Sequence, residues 1–173
     1  MECDFAGEIV LTADTGDGAD RVRAPTYAFP GAVFRLGPGD DAGDGAGMSG
    51  GDGDDRLTGG FGLAGGAGND TLTLDGPDSG DAAGGPGDDR VTGSMFDDRL
   101  DGGGGRDEVI GRSGDDEIAD GDRPGAVDGD LLDGGEGVDV VSYLARTAPL
   151  VVDLGRQESA GEPGEGDRLA GFE

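Results

Sequence analysis

A chain of 173 residues with 41 glycines, 39 acidic residues against 12 basic ones and a net charge of −27 falls in the compositional range of disordered polyanions. Such a charge argues against nucleic acid and anionic membrane as partners and favours cations. The absence of histidine excludes imidazole zinc sites and any triad with a histidine base. No apolar run approaches the roughly 20 residues of a membrane span. The opening MECDFAGEIVL lacks the basic start and apolar core of a signal peptide, and Cys3 has no second cysteine to pair with.

In chain order, residues 1–49 read as a divergent β-rich flank. Glu8–Thr12 (EIVLT) has the composition of a short strand. Two weak glycine-aspartate units follow, Thr15–Arg23 (TGDGADRVR) and Leu36–Asp41 (LGPGDD), the second with Gly43 where an aliphatic residue is expected. From Gly50 a pattern emerges. Gly50–Thr58 (GGDGDDRLT) is complete, and Gly59–Ala64 (GGFGLA) starts like it but lacks both the aspartate and the strand residue. Gly65–Thr73 (GGAGNDTLT) is complete again, and Leu74–Ala83 matches poorly.

Residues 84–119 then hold four nine-residue units end to end: GGPGDDRVT, GSMFDDRLD, GGGGRDEVI and GRSGDDEIA. Position six is always aspartate (Asp89, Asp98, Asp107, Asp116) and position eight always aliphatic (Val91, Leu100, Val109, Ile118). A solvated acidic coil has no reason to space its few aliphatics nine apart, so this periodicity outweighs the disordered composition. After the insertion DGDRP (120–124), Gly125–Asp133 (GAVDGDLLD) and Gly134–Ser142 (GGEGVDVVS) resume the pattern. Residues 143–173 change character, and the apolar clusters VVSYL (140–144) and PLVVDL (149–154) read as longer strands.

The glycines permit turns closed to other residues. The aspartate supplies a hard oxygen, and the x-U-x triplet, U being apolar, a short strand with one face inward. Two units closing one coil would stack Asp89 near Asp107 on one edge and Asp98 near Asp116 on the other. Crowded carboxylates and carbonyls suit a cation that takes six to eight oxygens, calcium rather than magnesium. Position five, as at Asp97, is expected to face solvent.

The pattern G-G-x-G-x-D-x-U-x in these units resembles the RTX (repeats-in-toxin, haemolysin-type) calcium-binding nonapeptide repeats. The resemblance implies an all-β fold, a right-handed parallel β-roll (β-solenoid), with several Ca2+ ions between adjacent turns. Carried over residue by residue, it assigns metal ligation to Asp55, Asp70, Asp89, Asp98, Asp107, Asp116, Asp130 and Asp139. Asp20, Asp41 and Asp81 stay outside that set. It implies a secreted, extracellular or cell-surface protein and no catalysis within these residues. The calcium-binding roll would span 50–142, with 143–173 a strand-rich spacer or cap leading toward a further block. The chain would then be a piece of a larger protein.

Other signals are weaker. Gly60–Gly65 fits G-x-G-x-x-G, but no βαβ context surrounds it. Asn69-Asp70-Thr71 fits a glycosylation sequon, although Asn69 simply fills position five. No stretch fits an EF-hand loop. Arg56, Arg90 and Arg99 at position seven are expected to line a solvated edge and pair with carboxylates. Three competing functions stand beside the non-catalytic calcium module. One is the RTX portion of a larger secreted enzyme or toxin. Another is an ice-binding or adhesive roll, for which Thr58, Thr71, Thr73 and Thr92 look too irregular. The last is a disordered acidic calcium buffer.

Overall fold

The computed structural model describes residues 18–23, 34–121, 128–144, 146–147, 149–152, 154, 161 and 166–172. Among these there is no helix. The expected strand at residues 8–12 lies outside the described residues. The strands are β1 Arg21–Arg23, β2 Phe34–Pro38, β3 Ala42–Asp44, β4 Met48–Asp52, β5 Arg56–Gly59, β6 Leu63–Ala67, β7 Thr71–Leu74, β8 Asp81–Pro86, β9 Arg90–Thr92, β10 Arg99–Gly104, β11 Glu108–Ser113, β12 Glu117–Ala119, β13 Leu131–Glu136, β14 Val140–Ser142 and β15 Arg168–Ala170.

Odd-numbered strands form one eight-stranded sheet in sequence order. Even-numbered strands form a second sheet of seven, running β14-β12-β10-β8-β6-β4-β2. Each strand pairs in parallel with the strand two places along the chain, as in β9 with β11 and β10 with β12. The chain therefore passes from sheet to sheet through a turn, closes a coil and stacks the next coil upon it. The fold is a parallel β-roll.

Alternation of inward and outward side chains sets the core. In the odd sheet, Leu57, Leu72, Val91, Val109, Leu132 and Leu169 fall in one register row. In the even sheet the row is Phe34, Met48, Leu63, Ala82, Leu100, Ile118 and Val141. All but Val141 are buried, and Val141 packs against them partly buried. Leu63 corrects the expectation that the unit at 59–64 lacks its strand residue. That unit is shortened, so Leu63 arrives early and still fills the inward position of β6, where it is buried. Gly43 faces inward without a side chain, and its neighbours occupy the space: a methyl group placed there would stand 2.5 Å from Met48 Sδ and 2.9 Å from Leu57 Cδ2.

Coil length varies while strand register holds, so the turns absorb the differences. This rearranges the threonines: Thr58, Thr73 and Thr92 fall in one row. The row ends at Asp44 and Ile110, and Thr92 is buried, so it makes no flat exposed face. Among the described residues the expected longer strands over 140–144 and 149–154 do not form. β14 stops at Ser142, and Val151 makes only an antiparallel bridge to Gly161. At this end, Arg146 Nη2 donates to Asp120 Oδ1 at 2.6 Å, both side chains fully buried.

Candidate metal-binding edges

Every odd strand is entered from a turn ending in a buried or half-buried aspartate. These aspartates form a ladder up one edge of the roll. The N–H of each donates to Oδ1 of the next: Asp20 to Asp41, Asp41 to Asp55, Asp55 to Asp70, Asp70 to Asp89, Asp89 to Asp107 and Asp107 to Asp130, with distances of 2.7–2.8 Å. Asp130 continues it to Asp167 at 3.1 Å. The opposite edge has a shorter ladder, Gly80 to Asp98 to Asp116 to Asp139, at 2.7–2.8 Å. There Gly47, Gly62 and Gly80 precede β4, β6 and β8, where the other edge has an aspartate. Asp89 thus stacks on Asp107, and Asp98 on Asp116.

All eight position-six aspartates are at most 3 % exposed. Their Oδ1 atoms serve the ladder. The Oδ2 atoms of Asp41, Asp55, Asp70, Asp89, Asp116 and Asp139 are buried and accept no hydrogen bond. A buried, unsatisfied carboxylate oxygen is costly, of order 1–3 kcal/mol or more. Three of the eight stand outside this group, Asp107 among them with its place in the ladder to Asp130. Asp98 Oδ2 already accepts the backbone N–H of Ser94 at 2.5 Å, in the unit at 93–101 that has serine as its second residue. Asp130 sits in the ladder beside the insertion.

The first glycine of a unit faces this oxygen at Gly50, Gly65, Gly84 and Gly111. A methyl group on Gly65 would stand 2.2 Å from Asp70 Oδ2 and 2.7 Å from the carbonyl oxygen of Gly84 in the next coil. On Gly84 the corresponding distances are 2.3 Å to Asp89 Oδ2 and 2.3 Å to the Gly102 carbonyl. On Gly111 they are 2.2 Å to Asp116 Oδ2 and 2.3 Å to the Gly134 carbonyl. A carboxylate oxygen and a carbonyl oxygen therefore converge on a space that any side chain would fill. Calcium–oxygen distances are about 2.3–2.6 Å. Position one is glycine for this space and not for its dihedral, since Gly50, Gly65 and Gly84 lack the positive φ expected of all three repeat glycines. Left-handed backbone belongs to positions two and four, as at Gly66 (φ 124) and Gly68 (φ 135).

Among the described residues no three acidic or thiol side chains gather at one point. A cation here would draw on one or two carboxylates and complete its shell from turn carbonyls, as a hard, oxygen-seeking ion can. The electrostatics agree. Burial pushes the Asp55, Asp89 and Asp116 carboxyls up to about 6. In each case the ladder N–H opposes the rise, while neighbouring aspartates of the edge, including Asp40, Asp88 and Asp97 of position five, add to it. Asp70 is raised by the same burial, against the pull of the Asp55 N–H.

The family model for the RTX calcium-binding nonapeptide repeat matches in four copies, over residues 48–62, 63–76 and 83–118. Residues 48–118 are RTX calcium-binding repeats. Among curated proteins none matches the chain. The RTX assignment makes the matched part of the roll a structural calcium-binding module, and its residues fit that ion through the unsatisfied Oδ2 atoms and the glycine spaces beside them.

Sequence reasoning missed several participants. Asp167, fully buried, extends the long ladder. Its signal was the triplet Asp167-Arg168-Leu169, which repeats D-x-U far from the main array. Asp20 and Asp41 also join the ladder, whereas Asp81 is exposed at the start of β8. Position five does not simply face solvent, since Asp97 Oδ1 accepts the N–H of Asp115 at 2.9 Å. The position-seven arginines at 90 and 99 pair across coils as expected, Arg90 with Glu108 and Arg99 with Glu117, both pairs substantially exposed.

Proposed function

We propose that this protein binds several calcium ions along both edges of the roll and that calcium induces its folding. The observation that carries the reading is the set of buried Oδ2 atoms of Asp55, Asp70, Asp89 and Asp116, which have no hydrogen-bond donor and each face a glycine space that a carbonyl also lines. Asp55, Asp70, Asp89, Asp116 and Asp139 hold the ions through their Oδ2 atoms. Asp107 and Asp130 serve by their places in the same ladder, and Asp98 with one oxygen already engaged by Ser94. Calcium supplies a compact double positive charge that takes six to eight oxygens. Residues 50–142 form the binding unit, and 1–49 and 143–173 flank it. The setting is a secreted or surface protein, in which low calcium keeps the chain open and high calcium folds it. A larger secreted enzyme or toxin that carries this roll beside a catalytic domain is consistent with the same chemistry.

Stacked buried carboxylates make the ion-free roll weak, so folding should follow the ion. The test is far-ultraviolet circular dichroism with hydrodynamic radius during a calcium titration, with magnesium and sodium chloride as controls. The expected result is conversion from an expanded coil to compact β structure with calcium alone, because salt screens repulsion without supplying ligation geometry. A chain already compact in excess chelator at neutral pH overturns the folding claim.

A further inference from the structure

Beside the buried aspartate ladder runs a second, exposed one. On the long edge, the N–H of Asp54 donates to Asp40 Oδ1 at 3.0 Å, that of Asn69 to Asp54 Oδ1 at 2.8 Å, that of Asp88 to Asn69 Oδ1 at 2.8 Å and that of Arg106 to Asp88 Oδ1 at 3.0 Å. On the short edge, Asp115 donates to Asp97 Oδ1 and Val138 to Asp115 Oδ1, each at 2.9 Å. These are the position-five residues. Where position five is aspartate or asparagine its side chain accepts from the following coil, whereas position-six side chains accept from the preceding one. In those turns two adjacent residues thus reach in opposite directions and fasten the coil to both neighbours.

Asn69 decides what this row requires. Its amide oxygen makes the same bond as the carboxylates above and below it, so the row needs an oxygen acceptor and not a charge. The acids that occupy the other places bring negative charge next to a buried carboxylate without making a bond that asparagine cannot make. From this we infer that position five is a metal-independent positioning row. It holds the turn peptides so that the Oδ2 atoms of position six converge with the carbonyls, and its aspartates raise the calcium concentration the roll requires. The inference rests on the calcium reading of position six, but the hydrogen bonds themselves do not.

The test substitutes Asp88 in the full chain in two ways, Asp88→Asn and Asp88→Ala. Three readouts are taken: the calcium midpoint for folding, the number of bound ions by native mass spectrometry, and hydrogen exchange at the Arg106 N–H in saturating calcium. Asp88→Asn should lower the midpoint about twofold and preserve Arg106 protection. Asp88→Ala should lose about two- to tenfold in that protection, the worth of one exposed hydrogen bond, and fold at a higher midpoint than Asp88→Asn. Both should bind as many ions as the parent. Equal midpoints for the two variants, or unchanged Arg106 protection in Asp88→Ala, would overturn the positioning role. Loss of an ion in Asp88→Asn would also overturn it, by making position five a ligand. If the parent shows no response to calcium, the calcium reading fails, and Arg106 exchange compared between the two variants still decides the ladder.

Discussion

Gly65→Ala is the substitution that separates the space for an ion from the charge that attracts it. Gly65 lies in β6 outside the left-handed region, so alanine is compatible with its backbone. The added methyl would stand 2.2 Å from Asp70 Oδ2 and 2.7 Å from the Gly84 carbonyl, closer than carbon and oxygen can pack. Forcing a methyl into a packed interior costs about 1–3 kcal/mol. The lost ion adds about 2.7 kcal/mol at a hundred times its dissociation constant. The combined loss in saturating calcium is then about 4–6 kcal/mol, with no change in net charge. The control is Gly60→Ala, in the turn of the other edge that has no aspartate. There the single heavy atom near the added methyl is the Gly76 Cα at 3.3 Å. Bound calcium counted by native mass spectrometry should fall by about one ion in Gly65→Ala and not at all in Gly60→Ala. Urea unfolding in calcium should show the stability difference. A Gly65→Ala protein that keeps its full complement of ions refutes the placement of the site, and so does a Gly60→Ala protein that loses one.

Three further outcomes are expected. Asp116→Ala should remove about one ion and raise the folding midpoint severalfold. Asp81→Ala, at an exposed acid, should leave the ion count unchanged, which equilibrium dialysis can establish. In the metal-free protein the carboxyls of Asp55, Asp89 and Asp116 sit near 6 against 3.8 when unfolded, so the folded state binds more protons between those values. Stability without metal should therefore rise as pH falls from 7 to 4, while calcium affinity falls below pH 6. A metal-free chain less compact at pH 4.5 than at pH 7.5 by circular dichroism contradicts this. Leu100→Ala, at a fully buried site, should cost about 2–5 kcal/mol in calcium-saturated urea unfolding. Leu144→Ala, at a residue 91 % exposed, should cost less than about 0.5.

The register of the roll was legible wherever the nine-residue period is unbroken. Asp89, Asp98, Asp107 and Asp116 gave both edges and the inward row of four strands, and the structure pairs Leu132 with Val109 across the five-residue insertion. Legibility failed where coils change length. Leu63 and Met48 occupy inward positions that a fixed period does not reach, because the turns shorten while the strands keep register. The row of Thr58, Thr73 and Thr92 was hidden for the same reason. The position-five bonds were hidden for another: they join backbone to side chain between coils, and nothing in a single unit announces a partner 18 residues away, as between Asp97 and Asp115. The space at Gly65 was equally invisible, since sequence reports that glycine is present and not which of its freedoms is used.

The inequality of the two edges bears on the shape of the roll as well as on its stability. From Asp20 to Asp167 one edge carries a continuous seam of aspartates, while the other has glycine at 47, 62 and 80 and begins its seam at Asp98. A stack fastened along one side bends more easily about that side than away from it, like a book that opens only opposite its spine. In the first coils, tightening the long seam should therefore draw the stack into a curve. From Asp98 onward, where both edges carry an aspartate seam, the same tightening should keep it straight. The seams would then set curvature along the first half of the roll, and stiffness along the second.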